Sequence, residues 1–292
     1  MPKKQKESAP SKKSGFVKIQ DGIHVYVGGS GSTNFGLILT KEKPVVIDND
    51  IRCRKEFTTG MKKITKKKPG ILFNTHHNFD HTSDNGYYHK MGVMSFGNSF
   101  AVEEMYREEN EGIWVKQMVG RGPKVEHLLK TLKVDPPKVI FENLLTIEYG
   151  GRIFQLIYID HCHTKGDSVI WMPKEKVLFA GDLLTYKTHP VNRLGNFHNW
   201  ISAFKILEEF PAKHIIPGHG PMPPTGKKII QDNKKMFLKL KNDTGRALKK
   251  YTTPAKASEN VHLREYEKWF RYPLVKANAY KMAQEIKRKN RK

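Results

Sequence analysis

Residues 74–81 read "NTHHNFDH". His76, His77, Asp80 and His81 put three imidazoles and a carboxylate into six positions, directly after the apolar run "GILFN" of 70–74. Imidazole and carboxylate donors suit Zn, Fe or Mn. A His-rich loop read by itself is ambiguous, because a single loop histidine is more often solvated than ligating. Three further β-type runs end the same way. "IFQLIYID" passes into "HCHTKGDS" at 161–168, "KVLFA" into "GDLL" at 181–184, and "HII" into "PGHG" at 217–220. Donors at strand ends sit on a rigid scaffold yet stay open to substrate.

Outward from these stretches, the chain alternates between two kinds of pattern. Residues 1–14 read as a disordered basic lead rich in Lys, Ser and Pro. Short β-type runs separated by Gly, Ser, Pro and Asn continue to about residue 100. Helical character is expected over 101–133, broken at "GRGP", with "YREENEGIWVKQM" placing Trp114 and Met118 on a buried face or a hydrophobic lip. β-runs return from 144 to 216 around helical "NWISAFKILEEF". From about 226 the pattern is helical and basic, with "YTTPAKASEN" as a break. The layout predicts sheets covered by helices in one layered α/β domain over 15–228, with a helical extension over 229–292 packed on it.

The 292 residues include 52 Lys+Arg and 29 Asp+Glu, a net charge of +23. Such a field attracts polyanions but says nothing about fold. Lysines are dispersed rather than interleaved with aromatics, so specific nucleic-acid binding is not the favoured reading. Cys53 and Cys162 are too few for a disulfide framework, which points to a reducing compartment. No apolar run approaches the roughly 18 residues a spanning helix needs. With no apolar h-region in the lead, a cytoplasmic protein without a membrane segment is expected.

Taken together, the four stretches resemble the metallo-β-lactamase superfamily. Its leading signature T-H-x-H-x-D-H aligns with Thr75, His76, His77, Asn78, Phe79, Asp80 and His81. Its H-T-x-G-[HD]-S is matched by residues 163–168, its strand-ending G-D by Asp182, and its G-H-G turn by His219. "GSTNFGLILT" and "VVIDND" look like the family's opening strands. The resemblance covers roughly 16–225 and implies an α/β fold, the four-layer αβ/βα sandwich, with the site on one edge of the sheets.

The resemblance further implies two neighbouring metal positions, holding one or two Zn, with Fe or Mn as alternatives. The first would take His76, the residue at 78 and His163, and the second Asp80, His81 and His219, with Asp182 bridging. Two ions about 3.5–4 Å apart would hold a water that is deprotonated to hydroxide near neutral pH, so hydrolysis is the expected chemistry. Asp80 and Asp182 are the catalytic candidates. The departure is Asn78, where the family has His. A neutral amide is a weak ligand, and the first position is expected to bind its metal less tightly. His77 is expected to point away. Asp167, Asp48 and Asp50 are candidates to hold ligand rings through hydrogen bonds. Tyr186, His189, Arg193, His198 and Trp200, in the stretch after Asp182, are the candidate substrate-pocket residues.

The expected activity is metal-dependent hydrolysis of an ester, thioester, lactone or β-lactam bond in a small molecule, with β-lactamase activity as one promiscuous part. Three alternatives compete: a phosphodiesterase or nuclease that uses the basic surface, a mononuclear iron dioxygenase built on His76, His163 and Asp182, and a non-catalytic nucleic-acid-binding protein. A homodimer contact is one use for the C-terminal extension.

Overall fold

Val45, Val46 and Ile47 form a strand with no exposed position, and the same holds for Ile71–Phe73, Asp167–Met172 and Val177–Phe179. Strands buried on both faces need cover on both sides. The computed structural model, which describes residues 14–29, 32–119, 126–130 and 132–289, provides it as helices, a sheet, a second sheet, and helices again.

The first sheet runs in chain order: β1 (Gly15–Gln20), β2 (Ile23–Val27), β3 (Phe35–Ile38), β4 (Val45–Ile47), β5 (Ile71–Phe73), β6 (Met94–Asn98) and β7 (Val139–Phe141). It is antiparallel through β4 and parallel from β4 to β7. The second sheet is ordered β12-β11-β10-β9-β8, from β8 (Leu144–Tyr149), β9 (Arg152–Asp160), β10 (Asp167–Met172), β11 (Val177–Phe179) and β12 (His214–Ile216). The helices are α1 (Arg54–Ile64), α2 (Phe79–Thr82), α3 (Asn85–His89), α4 (Ser99–Asn110), α5 (Ile113–Met118), α6 (Phe197–Glu209), α7 (Lys228–Lys250), α8 (Pro254–Glu259) and α9 (Leu274–Lys289).

Strand alternation sorts the side chains between layers. Val45, Ile47 and Phe73 face Phe154, Ile170 and Phe179 across the gap between the sheets. Val46 and Leu72 turn the other way, onto Phe57 and Met61 of α1. Val169 and Trp171 face outward from the second sheet into a core completed by α6, α7 and α9. There Phe237 of α7 lies 4.8 Å from Trp200, 5.2 Å from Phe204 and 5.4 Å from Phe197, ring centre to ring centre. Such pairs stabilise beyond the area they bury. The C-terminal helices are therefore built into the outer layer of the second sheet, through Met236, Leu240, Val275 and Met282 among others.

Two local expectations differ from the structure. The break expected over 251–260 contains α8, started by Pro254 at its first turn and capped by the Thr253 hydroxyl, which accepts the Lys256 N–H. The helix expected through 124–133 is a 3-10 turn at His127–Lys130, and the remainder of that stretch is in part outside the described residues. The basic lead lies outside them too, apart from Ser14. Among the described residues, no helix is long and apolar enough to cross a membrane.

Candidate metal centre

Asp48, at the end of β4, adopts φ 58° while buried, a left-handed conformation that costs energy in any residue but is tolerated best by Asp, Asn and Gly. Its carboxylate accepts the Thr75 N–H at 2.8 Å, the Thr75 hydroxyl at 2.7 Å and His81 Nδ1 at 2.8 Å. Because the Thr75 hydroxyl spends its single proton on Asp48, it can only accept from His76 Nδ1, 2.9 Å away. That fixes the tautomer and leaves His76 Nε2 with a free lone pair. This nitrogen is buried and has no hydrogen-bond partner. One aspartate thus orients two imidazoles, the part expected of Asp48 or Asp50. Asp50 instead binds Arg52 through both oxygens.

The remaining candidates come from the second sheet. His163 lies on the turn between β9 and β10, Asp182 on the 3-10 turn after β11, and His219 just past β12. They converge on Asp182. Its Oδ1 lies 3.3 Å from His81 Nε2, and its Oδ2 lies 3.3 Å from both His163 Nε2 and His219 Nε2. His219 Nε2 is also 3.5 Å from Asp80 Oδ2. Two sets have donor atoms all within 4.8 Å of one another: His76, His81 and Asp182, and Asp80, His81 and His219. The glycines beside them leave no alternative, since a Cβ on Gly218 would stand 2.0 Å from Asp182 Oδ1.

Charge follows from this crowding. Burial alone would raise Asp182, but the His219 and His81 rings hold it well below the usual carboxylate range. Asp80 is held at about 2, where the same two rings outweigh burial. Burial pushes His163 down to about 4. His76 is lowered well below the ordinary value by burial and by His81. Burial would lower His81 too, but Asp182 and Asp48 on either side raise it well above. Unpartnered buried donors of both kinds, His76 Nε2 and Asp182 Oδ1, sit in this cluster. Hydrogen-bonded cores avoid such orphans, whereas a cation site needs them. The donor set fits a divalent ion.

Asn78 takes a different part from its histidine counterparts. Its Nδ2 donates to His163 Nε2 at 2.8 Å, occupying the lone pair an ion would take and leaving the proton of that ring on Nδ1, which is buried without a partner. His77 points away from the cluster, fully buried, with Nε2 3.6 Å from Glu108 Oε1, whose other oxygen accepts the Trp114 Nε1–H at 2.9 Å. Asp167 does not reach a ligand ring. It accepts the backbone N–H groups of Cys162, His163 and Thr164 and the Thr164 hydroxyl, tightening the turn that carries His163, and burial raises it to about 7.

A cleft of about 190 Å³ opens onto Asn78 and His163, with Arg107, Glu108, Ile113, Val191, Arg193 and Leu194 in its walls. Of the five substrate-pocket candidates, Arg193 lines it. Trp200 stands behind His163, 5.4 Å ring to ring, buried and held by its Nε1–H to Leu183 O at 3.0 Å. His189 is buried against Trp269 and Tyr272, its Nε2 bonded to Tyr266 O. Tyr186 packs on the core of the second sheet, and His198 is exposed on the first turn of α6. Apolar packing claims the aromatics, and a two-residue hydrogen bond claims the ring of His189. The contribution of α4 and α5, Arg107 and Glu108 from the first and Ile113 from the second, carries no motif; only the lip reading of 106–118 pointed near it. Trp114 itself is buried, and the Met118 side chain lies outside the described residues.

A second constellation superficially suggests chemistry. His89 Nδ1 lies 2.8 Å from Asp135 Oδ2, and Nε2 2.6 Å from Ser95 Oγ. Ser95 is fully buried on β6 and also accepts the Lys138 N–H, so the arrangement ties α3 to the sheet and offers no hydroxyl to a substrate.

Known proteins share this architecture. A metallo-beta-lactamase type 2 from Bacteroides fragilis is 25% identical over 142 residues, 46% of this chain and 47% of that protein, so the match spans about half the relative's length. The structure of a metallo-beta-lactamase from Pontibacter korlensis superposes with a TM-score of 0.64 at 18% identity, over 77% of this chain and 99% of that one. The stereoselective inverting sec-alkylsulfatase Pisa1 from Pseudomonas sp. gives 0.68 at 19% identity, over 93% of this chain and 50% of that one. The profile of the metallo-beta-lactamase superfamily matches residues 28–219, a span holding every candidate ligand and well over half of the chain. With that match, the four-layer fold and the convergence on Asp182, the chain belongs to the metallo-beta-lactamase superfamily.

Proposed function

We propose that this chain is a metal-dependent hydrolase acting on an ester, thioester, lactone or β-lactam bond of a small molecule, with β-lactamase activity among its side reactions. The observation that carries the reading is the Asp182 carboxylate meeting the imidazoles of His81, His163 and His219, from three separate segments of the chain, at 3.3 Å. His76, Asn78, His163 and Asp182 would hold one ion, and Asp80, His81, His219 and Asp182 the other; Zn suits the donors, and Fe or Mn is compatible with them. Bound there, the ions supply Lewis acidity toward the scissile group and bring the pKa of water near neutrality.

The chain's own groups do the rest. Asp80, ionised at neutral pH, can orient a water by accepting its hydrogen bond, and Arg52, 3.9 Å from Asp80 Oδ2, holds that carboxylate in place. Ile113, Val191 and Leu194 offer an apolar wall beside Asn78 and His163. Arg107 in the same cleft is engaged by Glu104 and Glu111, whereas Arg193 has no ion pair among the described residues and is available to an anionic group on the substrate. A two-histidine, one-carboxylate iron site would leave Asp80 and His219 without a part although the fold brings them to 3.5 Å, which disfavours the dioxygenase reading.

Elemental analysis of the purified protein, with a panel of ester, lactone, β-lactam and bis-phosphate substrates, tests this. One to two equivalents of metal and turnover of at least one carbonyl substrate are expected. Asp182→Ala should lose both metal and turnover; activity unchanged in that variant sinks the proposal.

A further inference from the structure

α7 turns one face into the protein through Met236, Leu240 and Thr244 and leaves the opposite face to solvent. On that face Lys235, Lys239, Asn242, Arg246 and Lys249 recur at intervals of three and four residues, a straight line along the helix. At 1.5 Å per residue the line is about 21 Å long. Two adjoining grooves follow it, of about 580 and 680 Å³, sharing Asn242 and Arg246. The second continues onto α9 at Ile286 and Lys287, with Lys241 and Lys249 beside them.

The acids nearby are already answered. Glu208 is bound by Lys234, and Asp243 by Lys239 and Arg246. Lys235 and Lys249 on this line, and Lys241 beside it on the α9 side of the second groove, have no ion pair or hydrogen bond among the described residues, so the surface presents uncompensated positive charge. A second observation is independent of charge. Gly245 lies inside α7, where glycine weakens a helix, yet a Cβ there would meet nothing within 4 Å. The fold gives no reason for it. A partner that lies against the helix backbone does.

We propose that this face of α7 binds the sugar–phosphate backbone of a double-stranded nucleic acid. Regularly spaced cations, Lys239 and Arg246 sharing Asp243 and Lys235 and Lys249 unpaired at either end, with an amide between them, match a regular anionic polymer, and Gly245 lets a phosphate approach the helix between this line and Lys241. Among the described residues neither groove is lined by an aromatic side chain for unpaired bases to stack on, and a duplex read through its backbone is the partner that fits. This is separate from the metal centre and does not depend on any hydrolytic activity.

The test is fluorescence anisotropy of the full chain with a mixed-sequence duplex of about 20 base pairs, titrated at several KCl concentrations. Each phosphate contact contributes about −0.9 to the slope of log Kobs against log salt. Lys235→Ala/Lys241→Ala/Lys249→Ala should weaken binding more than tenfold and reduce the slope by about 3. The exposed α1-side triple Lys62→Ala/Lys63→Ala/Lys68→Ala removes the same net charge and should leave both nearly unchanged. Gly245→Gln should weaken binding at least threefold while Tm holds or rises, since Gln favours helix over Gly. Equal loss in the two triples would overturn the proposal, because the overall field and not this face would be binding. So would tight binding to phosphatidylserine vesicles or polyglutamate with none to the duplex.

Discussion

Replacing Glu285 should uncouple the C-terminal helix from the wall behind the metal centre. Glu285 projects from α9 onto the first turn of α6, where one oxygen accepts the Phe197 N–H at 3.1 Å and the other the His198 N–H at 3.2 Å. Asn196, the cap of α6, accepts from His198 and Asn199. Three residues further on, Trp200 backs His163. A hydrogen bond to a charged group contributes about 1.5–3 kcal/mol, and an acid at a helix N-terminus about 0.3–1 kcal/mol. Glu285 is only half-buried, so water can replace part of this, and the Asn196 cap remains. Glu285→Ala should therefore cost about 1.5–2.5 kcal/mol, or roughly 3–6 °C in Tm.

The pH dependence carries a sign of its own. Burial raises the Glu285 pKa, opposed by the two backbone N–H groups and by Lys281 and Arg288. A carboxyl whose pKa is higher folded than unfolded binds more protons in the native state between those two values. Stability from this group is therefore greatest below the unfolded pKa and falls as pH rises through the folded one. Glu285→Gln keeps one acceptor and lacks the proton, so its cost relative to wild type should grow as pH drops from 7 toward 4.5. Urea denaturation followed by tryptophan fluorescence, with m checked for constancy, measures both effects. A Glu285→Ala urea midpoint indistinguishable from wild type, or a Gln cost that shrinks toward acid pH, refutes the reasoning.

Asn78→His should free the His163 lone pair and add an imidazole donor, raising metal content toward two equivalents and tightening the weaker site at least tenfold, as read by competition with a fluorescent chelator; unchanged stoichiometry and affinity would mean that Asn78 does not limit the first position. Gly218→Ala forces its Cβ into Asp182 Oδ1 and should abolish metal binding while leaving the far-UV spectrum intact, so a variant that loads metal normally would contradict the packing described. Arg193→Ala should raise KM for anionic esters about tenfold or more and leave neutral esters of the same size unaffected. Equal effects on both would remove Arg193 from substrate recognition.

The order of motifs made the fold and the clustering of the candidate ligands legible in the sequence, because each donor sits where an apolar run stops, and runs such as Val45–Ile47 announce burial on both faces. Three features were not legible, for reasons specific to each. Asn78 reads as a missing ligand in sequence, but its bond to His163 depends on the spacing of two loops that are 85 residues apart. His189 and Trp200 look like pocket residues by composition, whereas the buried carbonyls of Tyr266 and Leu183 decide where their polar atoms go. Arg107 of α4 and Ile113 at the start of α5 belong to helices whose only visible signal is amphipathic periodicity, and periodicity does not say which flank of a helix overlooks a cleft. The C-terminal helices read as an extension packed on the domain, and what the sequence does not show is the partner: Phe237 completes an aromatic cluster that begins in α6.

His76, Asp80 and His81 are carried by the first sheet, and His163, Asp182 and His219 by the second. The candidate metal centre is therefore a seam between two layers. Any ion held there joins the sheets at their rim, and its binding free energy adds to the sandwich only while both layers are closed on each other. Removing such an ion by chelation would take away a clasp between the two sheets.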